Sequence, residues 1–295
     1  MQTREIWRFV VVTFVLGLAA QLLAVHGGVS GAGRQWLKFA MWAPAIAAMS
    51  SRSARRAAFA ALRRSGGRWL GVALVVGWSL ILVQNVLLLV LGGGNWNGAL
   101  FVLEADGRGI VAVHDVAMAL GVGQQGFGFF ALNLLVSLTL GSLMGGVLGG
   151  LGEELGWRAV LQPELERRWG PVRGSLVVGL IWAYWHLPTN LAGYNDGAHP
   201  TWNALLFFPL VVMAMAFSFG WLTRRTGSVW PAAIAHGANN CISAGFLLTP
   251  QGWGWDTGTA LAAAAVVGGL FALLSARRSK AAVVAQQGAA ELAEA

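Results

Sequence analysis

The sequence predicts an all-α protein, a polytopic bundle of about eight membrane-spanning helices with both termini in the cytoplasm. Three observations carry this. Hydrophobic residues fill 56% of the 295 positions and charged residues only 11%, a balance foreign to soluble domains. Apolar stretches recur at the length of about 20 residues that crosses a bilayer as a helix. Counted as eight spans, they also place nearly all the basic residues on one side.

The first helix, residues 6–25, follows Arg4 and Arg8 and superficially resembles a signal peptide. Its apolar stretch is long for one, and no small-x-small cleavage site follows, so it is retained as a span. The second, 36–49, is short enough to be tilted or shallow. A loop at 51–68 carries six arginines; it reads as a topology determinant or an amphipathic helix on anionic headgroups. The third helix covers 69–91. Residues 92–126 then form a glycine-rich external stretch with Glu104, Asp106 and Asp115, with room for a short amphipathic helix. The fourth helix, 131–162, should stop before Pro163, because the residue before a proline avoids the helical region. Helices follow at 171–191, 204–222, 229–248 and 258–274. The alanine-rich tail after Lys280 reads as disordered or as a frayed helix.

Of the 20 basic residues, only Arg34, Lys38 and Arg108 fall opposite the rest. Dropping to seven spans scrambles this segregation. The net charge of +8 is therefore topological, and no nucleic-acid partner is implied. Lone Cys241 permits no disulfide framework. His26, His114 and His199 read as loop histidines, and Trp36, Trp69, Trp96, Trp202, Trp230 and Trp253 as interfacial belts. The chain divides into N-terminal helices and external loop (1–130), a central membrane domain (131–248), a last helix (249–280) and a tail (281–295).

Three polar stretches sit where lipid-facing chemistry disfavours them. In GGLGEELGWRAV, residues 149–160, a charge at mid-membrane costs roughly 2.5–3.5 kcal/mol on insertion scales. Glu154 lies about 13 Å from the expected break at Pro163, so the pair is submerged. Glu154 and Arg158 are four apart and face each other, whereas Glu153 is rotated by about 100° and is left over. Gly141, Gly145 and Gly149, with Gly146 and Gly150, form small-residue rows that let another helix backbone approach. In WAYWHLP, 182–188, Trp182 and His186 share a helix face. In HGANN, 236–240, His236 and Asn240 do the same.

Glutamate and two histidines on separate helices suit activation of a water. Either the carboxylate takes the proton itself, or a bound zinc acidifies the water; the spacing leaves both open. The same groups also suit a proton relay in a transporter, or a non-catalytic scaffold or immunity protein that binds a partner peptide. Transport would favour internal repeats, and none is seen.

In their order and spacing, the three stretches resemble the signature motifs of the CPBP family, the intramembrane proteases related to the type II CAAX prenyl endopeptidase. Glu153, Glu154 and Arg158 match the first motif, Trp182 and His186 the second, His236 and Asn240 the third. Two departures are visible: Trp182 stands where phenylalanine is usual, and Ala159 replaces a common glycine. The resemblance covers roughly 131–248. It implies a multi-pass cell-membrane endopeptidase acting on a membrane-associated peptide or protein, lipidated or not. It further implies Glu153 as general base helped by His186, Glu154 orienting the site with Arg158, and His236 with Asn240 stabilising the oxyanion. It leaves zinc open. One geometric difficulty stands: counted from Pro171, His186 lies roughly 22 Å along its helix, so that helix must tilt to reach Glu153.

Overall fold

In the computed structural model, the described residues are 1–105, 107, 109–113, 118–242 and 246–294, with side chains as far as Arg277. The fold is a helical bundle. Helices α1 (Thr3–His26), α2 (Arg34–Ala48), α3 (Arg52–Arg63) and α4 (Trp69–Leu91) precede the external segment. That segment is not helical where described. It forms strands β1 (Gly94–Trp96), β2 (Phe101–Leu103), β3 (Ile110–Ala112) and β4 (Gly123–Gln125), with β2, β3 and β4 in one antiparallel sheet. Phe101, Val102, Ile110 and Val111 favour extended backbone, and this outweighs the expected amphipathic helix. Asp106, Arg108, His114 and Asp115 lie outside the described residues.

A long helical run follows: α5 (Phe127–Gly145), a π-helical turn at Gly146–Gly150, α6 (Leu151–Gly156), a second π turn at Trp157–Leu161, and α7 (Gln162–Trp185). The expected stop at Pro163 is not there. Pro163 falls in the first turn of α7, directly after the π turn at Trp157–Leu161, and the helical run continues through it. The chain breaks instead at Gly170, with φ 79° and ψ 166°. Only glycine adopts that conformation readily, and the following Pro171 excludes an α-helical predecessor.

The helix expected to run to residue 191 ends at Trp185. His186 caps it, and a short α8 (Leu187–Leu191) continues at a new angle. Then come α9 (Pro200–Trp202), a π turn at Asn203–Phe207, α10 (Phe208–Thr226), α11 (Trp230–Ile242), β5 (Leu248–Pro250) and α12 (Trp253–Glu294). Helix α11 is shorter than its expected range of 229–248, because Leu248–Pro250 is drawn into an antiparallel pair with β1. The Leu248 N–H is also taken by the buried Asn85 amide oxygen at 2.9 Å. Helix α12 extends well past residue 274.

Five helical stretches among the described residues are long and apolar enough to cross a membrane: Thr3–His26, Trp69–Leu91, Phe127–Trp185, Pro200–Thr226 and Trp253–Arg277. The third contains the break at Gly170. Helices α2 and α11, at 15 and 13 residues, fall short of a span by length, so the count of eight is not met by this criterion. Helix α11 is short for a physical reason. Pro231 through Ala238 are all buried, so it is an interior helix packed against α4 and α5, with little lipid to match.

Contacts between basic segments fix one end of the bundle. Arg168 bonds Thr3, Ser53 bonds Glu5, Ser228 bonds the Arg64 carbonyl, and Arg224 bonds both Glu166 and Ser275. The segments expected on one membrane face therefore do meet.

The glycine rows act as read, but they serve two neighbours. A Cβ at Gly146 or Gly150 would lie 2.8 or 2.6 Å from the Ala233 carbonyl of α11. At Gly149 and Gly152 it would meet Met41, and at Gly152 Trp42 as well, all on α2. A close backbone crossing lies at Gly237, where a Cβ would lie 2.1 Å from the Gly146 nitrogen and 2.3 Å from the Ser142 carbonyl. Both are backbone atoms and cannot rotate away. Gly237→Ala should therefore cost about 1–3 kcal/mol by overpacking and lower the thermal midpoint of the purified protein in detergent. An unchanged midpoint would mean that this crossing is looser than the structure has it.

Candidate active site

The two π turns bracket α6, and this local geometry sets the site. Each π turn inserts an extra residue and rotates the side chains that follow, a device frequent at functional sites. All six residues of α6 are buried, Glu153 at 1% exposure and Glu154 at 0%. Carboxylates this deep require partners.

Glu154 has two. Its Oε2 lies 3.2 Å from Arg158 Nε, so the pairing expected from the i,i+4 spacing forms. Its Oε1 accepts from His236 Nδ1 at 2.9 Å, a bond the spacing alone did not reveal. Arg158 is wholly buried and makes no hydrogen bond through its guanidinium nitrogens. Its charge rests on Glu154 and on two aromatic faces, Trp182 with Cζ 4.5 Å from the ring centre and Phe219 at 5.6 Å. Such desolvated cation–π contacts are worth about 2 kcal/mol.

Glu153 faces another way. Its Oε2 accepts from Trp182 Nε1 at 2.5 Å and from Trp157 Nε1 at 3.4 Å. Its Oε1 lies 4.0 Å from His236 Nε2. Neither indole was expected as a partner. Trp157 lies four residues after Glu153 in EELGW, a spacing that could have exposed it. The replacement of phenylalanine by Trp182 was visible, but not its consequence.

The geometric difficulty over His186 resolves through the same tryptophan. Glu153 meets α7 one turn before the histidine, at Trp182, and His186 lies beyond, where the helix ends. His186 is half-buried. Its Nδ1 sits 3.0 Å from the Trp182 carbonyl; a carbonyl only accepts, so Nδ1 carries the hydrogen and Nε2 keeps its lone pair. Trp185 and Phe208 pack on the ring, with centroids 4.7 and 5.1 Å away. Asn240 lies one turn past His236 on α11 and is exposed, unlike its buried neighbour. Thus Glu153, Glu154, Arg158 and His236 are gathered directly, His186 joins through Trp182, and Asn240 sits on the open part of the helix. His199 lies apart, 3.6 Å from Asp196.

Zinc was left open by the sequence. Among the described residues, no three of the histidine, cysteine, aspartate and glutamate side chains come together as a metal-binding group. The donors do not assemble the three protein ligands of a catalytic zinc.

The fold and site define a multi-pass helical membrane protein with a buried carboxylate–imidazole–guanidinium centre. Residues 135–242 match the family model described as type II CAAX prenyl endopeptidase Rce1-like, a range holding all seven motif residues. CAAX prenyl protease 2 of Methanococcus maripaludis is 30% identical over 89 residues, which cover 28% of this chain and 32% of that protein. The chain therefore spans about a third of the length of the curated relative it matches. The segment that carries the three motifs is thus similar to type II CAAX prenyl endopeptidases, in line with the motifs' resemblance.

The Glu154–Arg158 pair yields a stability test. Removing one partner of a buried pair leaves an uncompensated charge and costs about 3–5 kcal/mol, whereas replacing both by apolar or neutral groups costs far less than the sum. Glu154→Gln and Arg158→Met should each lower the thermal midpoint strongly, and the double variant should recover part of the loss. Strictly additive losses would contradict the pairing.

Proposed function

We propose that the chain is an intramembrane endopeptidase of the CAAX-protease type. It hydrolyses a peptide bond in a membrane-associated peptide or protein C-terminus, using water activated by Glu153 with His186, and it works in the cell membrane as a multi-pass protein. The observation that carries this reading is the division of labour between adjacent glutamates. Glu154 is fully engaged by Arg158 and His236. Both indole bonds to Glu153 fall on Oε2, and its Oε1 faces His236 Nε2, the side on which the water is activated.

The steps follow from that arrangement. Oε1 of Glu153 takes a proton from water, and the hydroxide attacks the scissile carbonyl carbon. A carboxylate in this role typically contributes 10²–10⁴-fold, about 3–5 kcal/mol of barrier. Negative charge then develops on the carbonyl oxygen. His236, doubly protonated in this step, supplies a donor to it. Its Nδ1–H is committed to Glu154, so Nε2–H is the donor for the oxyanion, with the Asn240 amide as a second donor on the open part of α11. His186, with Nδ1 committed to the Trp182 carbonyl, accepts on Nε2 the proton taken up by Glu153 and passes it to the leaving amine, which restores the Glu153 carboxylate. The peptide C–N bond breaks, and the two products carry a new carboxylate and a new amine. No step passes through a metal.

Wild-type protein, Glu153→Ala and His186→Ala, reconstituted in vesicles, are compared against membrane-tethered peptides with and without a lipid anchor. Loss of about a hundredfold or more in turnover is expected for Glu153→Ala, and a smaller loss for His186→Ala. Equal turnover by all three sinks the protease mechanism. Stable peptide binding without cleavage by the wild type points instead to a scaffold.

A second test concerns the metal. Dialysis against a strong chelator should leave turnover within about twofold, because activation rests on a carboxylate. Loss restored only by added zinc would overturn the metal-free form of the reaction.

A further inference from the structure

Trp182 touches Glu153, Arg158, His186 and His236, yet the reaction described above assigns it no part. Its side chain is 2% exposed. The indole N–H donates to Glu153 Oε2 at 2.5 Å, and the ring face carries the Arg158 guanidinium at 4.5 Å. The ring centroid lies 5.5 Å from that of His236. Its main-chain carbonyl accepts from His186 Nδ1 at 3.0 Å.

An indole N–H is a donor with no acceptor capacity, so the bond has only one direction. A hydrogen bond to an ionised oxygen is roughly twice as strong as one between neutral groups. It is also short here, and sealed from competing water. A carboxylate on a flexible glutamate side chain can present either oxygen through rotation of its terminal torsion. Two donors on one oxygen, Trp182 at 2.5 Å and Trp157 at 3.4 Å, remove that freedom. The phenylalanine usual at this position would fill the same space and offer no hydrogen. In this chain the residue therefore does something that shape alone would not.

We propose that Trp182 is a positioning residue for the base: its indole N–H fixes Oε2 of Glu153, so that Oε1 alone is presented to the water. This rests on the reading of Glu153 as base. The bond itself is a structural claim that can be read without turnover. The role predicts a particular kinetic signature. Losing the N–H should lower kcat about tenfold to a hundredfold, the size expected when a reacting group is displaced by a fraction of an ångström to one ångström. It should leave KM nearly unchanged, because substrate binding does not use the indole nitrogen.

The test uses full-length protein in nanodiscs carrying Trp182→Phe and, separately, 3-benzothienylalanine introduced at position 182. The second keeps the bicyclic shape and replaces only the N–H with sulfur, so it remains informative if the phenylalanine variant folds poorly. Protein labelled with ¹⁵N at the tryptophan indoles is measured alongside. One indole proton should resonate far downfield, vanish in Trp182→Phe, and move upfield in Glu153→Ala. Both substitutions at 182 should lower kcat with KM and thermal midpoint unchanged. Wild-type kcat in the benzothienyl protein overturns the proposal, as does an indole resonance indifferent to Glu153. If Glu153→Ala itself retains full turnover, the base assignment fails instead; the downfield indole signal then still reports whether the bond exists.

Discussion

The structure turns on the carboxylate of Glu154, buried completely and shared between a guanidinium on its own helical run and an imidazole on α11. A charge at that depth is tolerable only when both oxygens are engaged. That requirement dictates what surrounds it. Helix α11 must come close enough for His236 to reach, which explains the glycines where Gly146 and Gly150 meet Ala233 and where Gly237 meets Gly146. Arg158 must point inward, and Trp182 and Phe219 supply the faces that cover it. With Glu154 committed to holding three elements together, the adjacent Glu153 is the carboxylate left to act. Clamp and base are neighbours in sequence, and a rotation of about 100° along the helix separates their duties.

The π turns on either side of α6 belong to the same arrangement. A regular helix through residues 146–161 would keep a single stripe of side chains facing α11. Within α6, which is regular, the ordinary rotation of about 100° per residue lets Glu154 face α11 while Glu153 reaches toward α7. Pro163 follows the second π turn within the helical run, and the break comes at Gly170. The helical run therefore continues past Gln162 as far as Gly170.

Much of this was legible in the sequence. Composition and the recurrence of apolar stretches gave the membrane bundle, and the boundaries of α4 were read correctly. The spacing of Glu154 and Arg158 disclosed their pairing, because i,i+4 geometry is local. What was not legible depends on tertiary packing. The bond from His236 to Glu154 joins residues 82 apart in the chain, and no periodicity reports it. The two indole donors were hidden because tryptophan in a membrane protein reads by default as packing or belt. The short α11 and the strands near Phe101 and Leu248 were missed because hydropathy does not distinguish an interior helix from a spanning one, or an external strand from the end of a helix. The expected depth mismatch of His186 arose from treating α7 as meeting Glu153 at the histidine itself; contact is made one turn earlier, at Trp182.

The most direct test of the account sets the two glutamates against each other in a single preparation series. Glu153→Gln and Glu154→Gln are measured for thermal midpoint and single-turnover cleavage on the same samples. Because the glutamine at 153 still offers an oxygen to Trp182, the account predicts a fold as stable as wild type with cleavage lost. At 154 it predicts a clear fall in stability, with the loss of activity following from displacement of His236. A Glu153→Gln protein that cleaves normally, or that melts as early as Glu154→Gln, would contradict the separation of clamp from base.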